Sequence, residues 1–365
     1  MINLDGISWG YSNITVMKLS DIKITPLLDT LRLEKIDDAV YFSEKYSGYV
    51  SNSRLGLLNP RQEGTPEKFF AGFKPVGYAP ALEMGSAVHE LVLQPDLFEL
   101  AEDLGKPTAK MGAMADALYP VFLEGDVTKD DVIEASDKID YYKGKITEDR
   151  FNEVLIKCTP YWEARQKQEF DLEAKERIYL DTKTREIVLS CVEALNNNKS
   201  VQNLLHPMGL MEDPISENEQ AILLDVEAEC PNGKKFIIRL KSKIDNYTID
   251  QETNTITVND VKTIGKVVSE IDNNIKKFHY SREFAMYIYL LRECAKKFYG
   301  MENPKLRANY LVVSTIPNFY SKVRPVKYSE LAEGFAEFKT LLKYAAYLIG
   351  YKGYTLDERP SKYQL

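Results

Sequence analysis

The feature that most constrains this fold is the stretch at positions 239–263, which has the pattern of two adjacent β-strands. A polar turn at 251–254 divides the run into two strands, and alternate residues of a strand point to the same face of a sheet. Asp260 and Lys262 therefore share one face of the second strand. If the two strands pair around the turn, Asp245 on the first strand approaches Asp260. The sequence thus predicts two carboxylates and one ammonium group at one end of a sheet.

This group of residues is suited to metal-assisted hydrolysis. Carboxylate oxygens are the ligands that Mg²⁺ prefers, and a metal beside a lysine can activate water against a phosphodiester. A short Asp-x-Lys pattern is also common on solvated strand faces, so it does not establish a catalytic site by itself.

The charge distribution around this run adds a second signal. Residues 234–282 contain ten basic and six acidic residues, although the whole chain carries a net charge of −8. A locally basic channel can hold a phosphate backbone while the rest of the surface repels it. An ordinary mixed-charge surface would account for the same counts.

The order of the elements predicts an α/β fold with a mixed central sheet flanked by helices. A strong turn at Pro231-Asn232-Gly233 joins the first two of three meandering strands. A long amphipathic helix and an apolar strand follow, and a strand–helix–strand unit of this kind implies a right-handed crossover with parallel pairing. A closing helix ends the pattern. The predicted strands are 220–229, 235–247, 255–261 and 307–315, and the last two helices are 279–299 and 328–351.

The 365 residues divide into an N-terminal extension, 1–45, with no assigned structure, and one domain, 46–365. Within that domain a helical insertion is predicted at about 100–162 and a catalytic core at about 164–350. A helix at 81–93 precedes the insertion, and Gly85 on it predicts close packing against a neighbour because glycine is costly inside a helix. His89 lies one turn further on the same side. A lone histidine on such a helix is more often a hydrogen-bonded core residue than a metal ligand.

Several protein classes are not expected from this sequence. No apolar run approaches the roughly 20 residues that span a bilayer, so no membrane association is predicted. The first residues lack a basic segment followed by an apolar one, so secretion is not expected. The four cysteines are far apart and include no Cys-x-x-Cys pair, which argues against a zinc or iron–sulfur site and for reduced thiols in the cytoplasm.

Four features follow one another along the chain. The first is a glycine and a histidine one turn apart, Gly85 and His89, and the second is Asp245, which ends a basic strand. The third is the Asp-x-Lys strand with Asp260 and Lys262, and the fourth is a helix with Tyr280, Glu283 and Tyr287. This constellation resembles the PD-(D/E)XK nuclease superfamily, and within it the RecE-like and RecB-like exonucleases. The early segment Ser-Asn-Ser-Arg-Leu at 51–55 is similar to the opening motif of the RecE-like phage group. The resemblance implies a restriction-endonuclease-like core.

The resemblance also implies a role for each matching residue. Asp245 and Asp260 would be the metal-binding carboxylates. Lys262 would orient or deprotonate the attacking water and stabilise charge in the transition state. His89 matches the histidine that precedes the core and lies close to the metal, so it counts as both a catalytic residue and a metal ligand.

Further positions follow from the same resemblance. A supporting acidic ligand would be Glu219, with Glu217 as an equal rival. Tyr280, Glu283 and Tyr287 match a Tyr-x-x-Gln-x-x-x-Tyr helix expected to contact DNA, but a glutamate replaces the glutamine and puts an anion near phosphate. The glutamate could join the metal ligands instead, and simple packing is an equal explanation for the two tyrosines. The other expected DNA contacts are Arg282, Lys241, Lys243 and Lys266.

The expected function is a Mg²⁺-dependent DNA exonuclease, with Mn²⁺ as a second candidate metal, that hydrolyses phosphodiester bonds at duplex ends. The resemblance implies a phage protein of recombination or replication, acting in the host cytoplasm on double-stranded DNA. A homo-oligomer and a single-strand annealing protein are its implied partners. The alternatives are a structure-specific endonuclease on the same fold and a catalytically inactive DNA-binding or virion-associated protein.

Overall fold

The computed structural model describes residues 19–72, 80–142, 146–169, 175–209 and 214–351. Within these residues a seven-stranded mixed sheet forms the centre of the fold. Its strands are β1 (Lys23–Pro26), β2 (Arg32–Glu34), β5 (Ile215–Glu229), β6 (Lys235–Asp250), β7 (Thr255–Ile264), β8 (Lys305–Ser314) and β9 (Ser321–Pro325). A separate parallel pair consists of β3 (Phe98–Leu100) and β4 (Glu176–Ile178).

The described ranges contain twelve α-helices. They are α1 (Asp38–Tyr41), α2 (Asn52–Gly56), α3 (Pro66–Ala71), α4 (Pro80–Leu93), α5 (Ala109–Glu124), α6 (Lys129–Ile139), α7 (Glu148–Glu169), α8 (Thr182–Asn196), α9 (Lys199–Leu205), α10 (Ile271–Phe278), α11 (Tyr280–Tyr299) and α12 (Tyr328–Ala346). None of them is long and apolar enough to cross a membrane.

The sheet has the mixed topology that the sequence predicts. Its order is β1-β5-β6-β7-β8-β9, and β2 also pairs with β5. Strands β5, β6 and β7 form an antiparallel meander, while β7 and β8 are parallel and are joined through α10 and α11. The short antiparallel strand β9 was not predicted. It occupies the edge beside β8.

The first strands correct the predicted limits of the core. Residues 1–45 were assigned to an extension, but β1 and β2 both pair antiparallel with β5. Ile22 and Leu31 beside these strands are 1% and 2% exposed and belong to the main hydrophobic core. Residues 23–26 and 32–34 are therefore part of the central sheet, and residues 1–18 lie outside the described ranges.

Apolar side chains cover the sheet on both faces. On one face, α11 and α12 supply a large core that includes Phe284 and Phe338. On the other face, α4 and α8 pack Val88 and Val188 against Val261 of β7. Burial on both faces is what strands in a parallel pair require. Helix α4 therefore lies against β7, on the face opposite to α11.

The helices of the predicted insertion have a core of their own. Helices α5, α6 and α7 bury Met114, Leu118, Tyr161 and Trp162 among themselves. The ammonium group of Lys106 ties this unit to α4, because it pairs with Glu83 on α4 and with a carboxylate on α5.

The contact between α11 and α12 leaves no room for a side chain at Gly334. A Cβ atom built there would lie 2.1 Å from the carbonyl oxygen of Ser281. We expect Gly334→Ala to lower the free energy of unfolding by about 1–3 kcal/mol, as overpacking does, although alanine is intrinsically the better helix former. Denaturant unfolding measures the change. Gly265→Ala is the control, because a Cβ atom there would have no atom of the described residues within 4 Å beyond its chain neighbours. Equal stability of the two variants would contradict the close packing.

Candidate metal centre

The strands β6 and β7 separate where the predicted carboxylates lie. Their pairing runs from Asp250 and Thr255 to Asn246 and Asn259 and ends there. At the next position the carboxylate of Asp245 accepts a hydrogen bond from the backbone N–H of Val261, at 2.8 Å. A side chain thus replaces the main-chain bond that would continue the ladder.

Strand β5 has an irregular residue opposite this separation. Glu219 has a φ of 49°, while its neighbours on both sides keep the regular pairing with β6. The residues of β6 that face the main core also change from even to odd numbers here, from Leu240 and Ile244 to Tyr247 and Ile249. A left-handed residue other than glycine, asparagine or aspartate is uncommon in a strand. The local backbone thereby brings the Glu219 and Asp245 side chains together.

Helix α4 brings His89 to the same point. A Cβ atom at Gly85 would lie 3.3 Å from the hydroxyl of Thr263, so the glycine allows α4 to approach β7 as predicted. His89 Nε2 lies 2.6 Å from the carbonyl oxygen of Val261, and Nδ1 lies 3.4 Å from Asp245 Oδ2. Both partners are acceptors, and a neutral imidazole carries only one proton. Both ring nitrogens of His89 thus lie close to oxygen atoms.

The donor set of this cluster fits a divalent metal. One ligand atom each from His89, Glu219 and Asp245 lies within 4.8 Å of the others. Carboxylates suit Mg²⁺ and Mn²⁺, and an imidazole nitrogen suits transition metals such as Mn²⁺ better than Mg²⁺. Burial, with the nearby charge of Asp245, raises the pKa of Glu219 to about 7, although Lys243 and His89 act in the opposite direction. A bound cation would favour the ionised carboxylate.

The predicted Asp-x-Lys pair lies beside this cluster and is tightly bound. Asp260 is 1% exposed, and Lys262 Nζ lies 2.9 and 2.8 Å from its two carboxylate oxygens. The ammonium group donates a hydrogen bond to Oδ1. Although Oδ2 is equally near, it does not accept a hydrogen bond. Burial raises the pKa of Asp260 well above its usual range, more than Lys262 lowers it.

Glu283 is the second partner of Lys262. Its Oε2 lies 3.3 Å from Lys262 Nζ, and the Tyr287 hydroxyl donates to its Oε1 at 3.1 Å. Burial alone would lower the pKa of Lys262, but Asp260 and Glu283 raise it well above its usual range. Lys262 is therefore a charged group in this arrangement, suited to stabilising negative charge rather than to accepting a proton. Glu283 contacts the lysine and is not part of the cluster of His89, Glu219 and Asp245.

Three of the residues predicted to contact DNA are buried. Arg282, Lys241 and Tyr287 are 3%, 8% and 5% exposed. The Arg282 guanidinium pairs with Glu337 at 2.7 Å, and Lys241 donates to the carbonyl oxygen of Tyr41 at 2.7 Å. The prediction of direct DNA contact is not supported for these three residues, because a phosphate could reach them only by displacing the groups that pack against them. They stabilise the elements around the site.

The remaining predicted residues are more accessible. Lys243 pairs with Glu219 at 3.1 Å and so lies next to the cluster, while Lys266 is exposed and pairs with Glu270. Tyr280 is half-buried, with Lys262 Nζ 4.6 Å from its ring centre. Glu217 forms a surface ion pair with a lysine. The structure thus separates the two rivals and places Glu219 at the cluster.

Glu90 is a neighbour of the site that the sequence did not predict. Burial raises its pKa to about 7, and the charges of Asp38, Glu176 and Glu219 act in the same direction. Its only sequence signal is that it follows His89 on α4.

Similarity to known proteins is found among solved structures. No family model matches the sequence, and no curated protein matches it. One matching solved structure is a chain from Eubacterium rectale described as a "Putative exonuclease". The match covers 86% of each chain, with 10% identity and a TM-score of 0.44. Similarity at this level decides neither family nor reaction.

The raised pKa of Glu219 predicts a pH dependence of stability in metal-free protein. The folded-state pKa of about 7 exceeds the ordinary 4.5, so the folded state binds more protons between these values. This contribution is fully present below about pH 4.5 and is lost as the pH rises through 7, by at most about 3 kcal/mol. We expect Glu219→Gln to flatten the dependence of the free energy of unfolding between pH 5 and 8. Glu217→Gln should leave it unchanged, and an identical slope in Glu219→Gln and wild type would refute the assignment.

Proposed function

We propose that this protein is a divalent-metal-dependent DNA nuclease of the exonuclease type, hydrolysing phosphodiester bonds at duplex ends. The observation that carries the proposal is the convergence of His89, Glu219 and Asp245 at the point where β6 and β7 separate, beside the Asp260–Lys262 pair. The resemblance in the sequence extends the proposal to phage recombination or replication, with a homo-oligomer and an annealing partner.

The cluster supports a role for a metal ion held by His89, Glu219 and Asp245. Asp260 adds a carboxylate oxygen without an aligned donor, at 1% exposure. A divalent metal bound there would lower the pKa of a coordinated water and neutralise charge on a phosphodiester. The protein supplies the positions: α4 holds the imidazole, and the Asp245–Val261 hydrogen bond holds the first carboxylate.

Lys262 is the residue proposed to act on the reacting phosphate. It is largely buried, with a 17% exposed side chain, and its ammonium is kept charged by two carboxylates. A fixed positive charge in a site of low dielectric stabilises an oxyanion more than it would in water. Its part is therefore electrostatic stabilisation of the developing charge and orientation of the attacking water.

One observation favours the catalytically inactive alternative. Asp260 and Glu283 both form ion pairs with Lys262, and these three side chains together form a closed ion-pair network. If Lys262 does not leave these ion pairs to contact a phosphate, the protein would bind DNA without cutting it. The alternative predicts no cleavage at any concentration of Mg²⁺ or Mn²⁺.

Cleavage of end-labelled linear duplex tests the proposal. In Mg²⁺ or Mn²⁺ we expect the wild type to release labelled nucleotides and Lys262→Ala to lose at least about a hundredfold in rate, the scale of losing one electrostatic stabiliser. Lys235→Ala is the matched control, because Lys235 lies on β6 but pairs with Glu227 at the surface. Equal rates in wild type and Lys262→Ala would end the assignment. Closed circular DNA separates the two enzymatic alternatives, since only an endonuclease cuts it.

Metal binding is testable without DNA. We expect Mn²⁺ or Mg²⁺ to raise the melting temperature of the wild type, because a ligand that binds only the folded state stabilises it. Glu219→Gln and His89→Gln should reduce this rise, and Glu217→Gln should keep it. A melting temperature that is unaffected by either metal at millimolar concentration would show that the cluster is not a metal site.

A further inference from the structure

An aromatic surface leads from the candidate centre to solvent. Phe278, the last residue of α10, is 44% exposed. Its ring stacks on Tyr280, with 5.6 Å between centroids and an interplanar angle of 26°. Tyr280 lies in turn 4.6 Å from Lys262 Nζ. An exposed ring is thus connected, through one half-buried ring, to the lysine proposed to act on the phosphate.

The surface around Phe278 is basic. Lys276 and Lys277 are exposed, and Lys277 Nζ lies 5.0 Å from the centre of the Phe278 ring. Two nearby carboxylates are already paired, Asp272 with Arg324 and Glu270 with a lysine. The positive charges of α10 are therefore not offset by these acids. Aromatic rings among basic residues are the combination with which proteins bind single-stranded nucleic acid.

We propose that Phe278 is a stacking platform for an unpaired nucleobase at the strand end that enters the site. This inference rests on the proposed function and adds the substrate class, a single-stranded or frayed end rather than an intact base pair. The Lys277 ammonium is solvated, so a base can displace it from the ring. Its positive charge would then be available to a phosphate of the bound strand.

The geometry distinguishes this surface from an ordinary exposed aromatic residue. Phe298 at the other end of α11 is also 44% exposed, and Lys297 Nζ lies 5.1 Å from its ring centre. The two rings thus match in exposure and in their lysine contact. Phe298 lies roughly 27 Å along the helix from Tyr280, at 1.5 Å per residue, and so is remote from Lys262. It provides a matched control.

The test compares two probes with the same backbone. One is a single-stranded thymidine oligonucleotide, and the other is an abasic oligonucleotide of equal length. Binding is measured by fluorescence anisotropy in Ca²⁺, with intact probe verified afterwards. We expect Phe278→Ala to bind the thymidine probe about tenfold more weakly, the scale of losing one stacked base, and to bind the abasic probe as the wild type does. Phe278→Trp should retain thymidine binding, and Phe298→Ala should match the wild type on both probes.

Two outcomes would overturn the inference. One is equal binding of the thymidine probe by Phe278→Ala and wild type, and the other is an equal loss with both probes, which would exclude stacking. Denaturant unfolding of Phe278→Ala and Phe278→Trp shows whether either variant is misfolded. Cleavage of linear duplex in Mg²⁺ or Mn²⁺ separates the two proposals. If the wild type cuts DNA but Phe278 has no base-dependent effect, only this inference fails, and if the wild type never cuts, the proposed function fails.

Discussion

The hydrogen bond from the Val261 N–H to the Asp245 carboxylate is the interaction on which the candidate site depends. It forms where β6 and β7 stop pairing, and it holds the two strands at a fixed separation without a main-chain bond. The carbonyl of the same residue, Val261, contacts His89 on α4. The backbone of Val261 therefore positions both Asp245 from β6 and His89 from α4, which lies on the face of the sheet opposite to α11. Because the Val261 side chain is buried among α4 and α8, this segment cannot shift without disturbing that core.

The charges around this segment explain why a cation suits it. Four carboxylates, those of Glu219, Asp245, Asp260 and Glu283, face two lysines and one histidine. Burial makes ionisation of the inner carboxylates costly, and it raises the pKa of both Glu219 and Asp260. Such groups either keep a proton or obtain another positive charge. A proton and the proposed divalent metal would thus compete for the same oxygens.

Local patterns predicted much of this arrangement. Alternation along β6 and β7 and the polar turn between them were enough to bring Asp245 towards Asp260, because hairpin register follows from short-range sequence. The choice between Glu217 and Glu219 was not decidable, since it depends on a left-handed φ at Glu219 that no residue preference indicates.

Errors of the sequence prediction came from contacts between distant segments. The burial of Lys241 is set by Tyr41, 200 positions away, and that of Arg282 by Asn52 and Glu337. The sequence around a basic residue does not show whether its side chain contacts a phosphate or a carboxylate inside the protein. The strands β1 and β2 were missed for a related reason, because they are short and acquire their structure only by pairing with β5.

The glutamate at position 283 would have a physical consequence if the proposed metal binds. Without a metal, Asp260 and Glu283 share the Lys262 ammonium. A cation that draws Asp260 towards itself would leave Glu283 as the carboxylate partner of the lysine, and a neutral glutamine at that position would hold the ammonium less strongly. The Tyr287 hydroxyl keeps Glu283 in place through its other oxygen. Under the proposed function, Glu283 would therefore help to keep Lys262 protonated when a metal is bound. The metal would then activate water, and Lys262 would stabilise the negative charge of the phosphate.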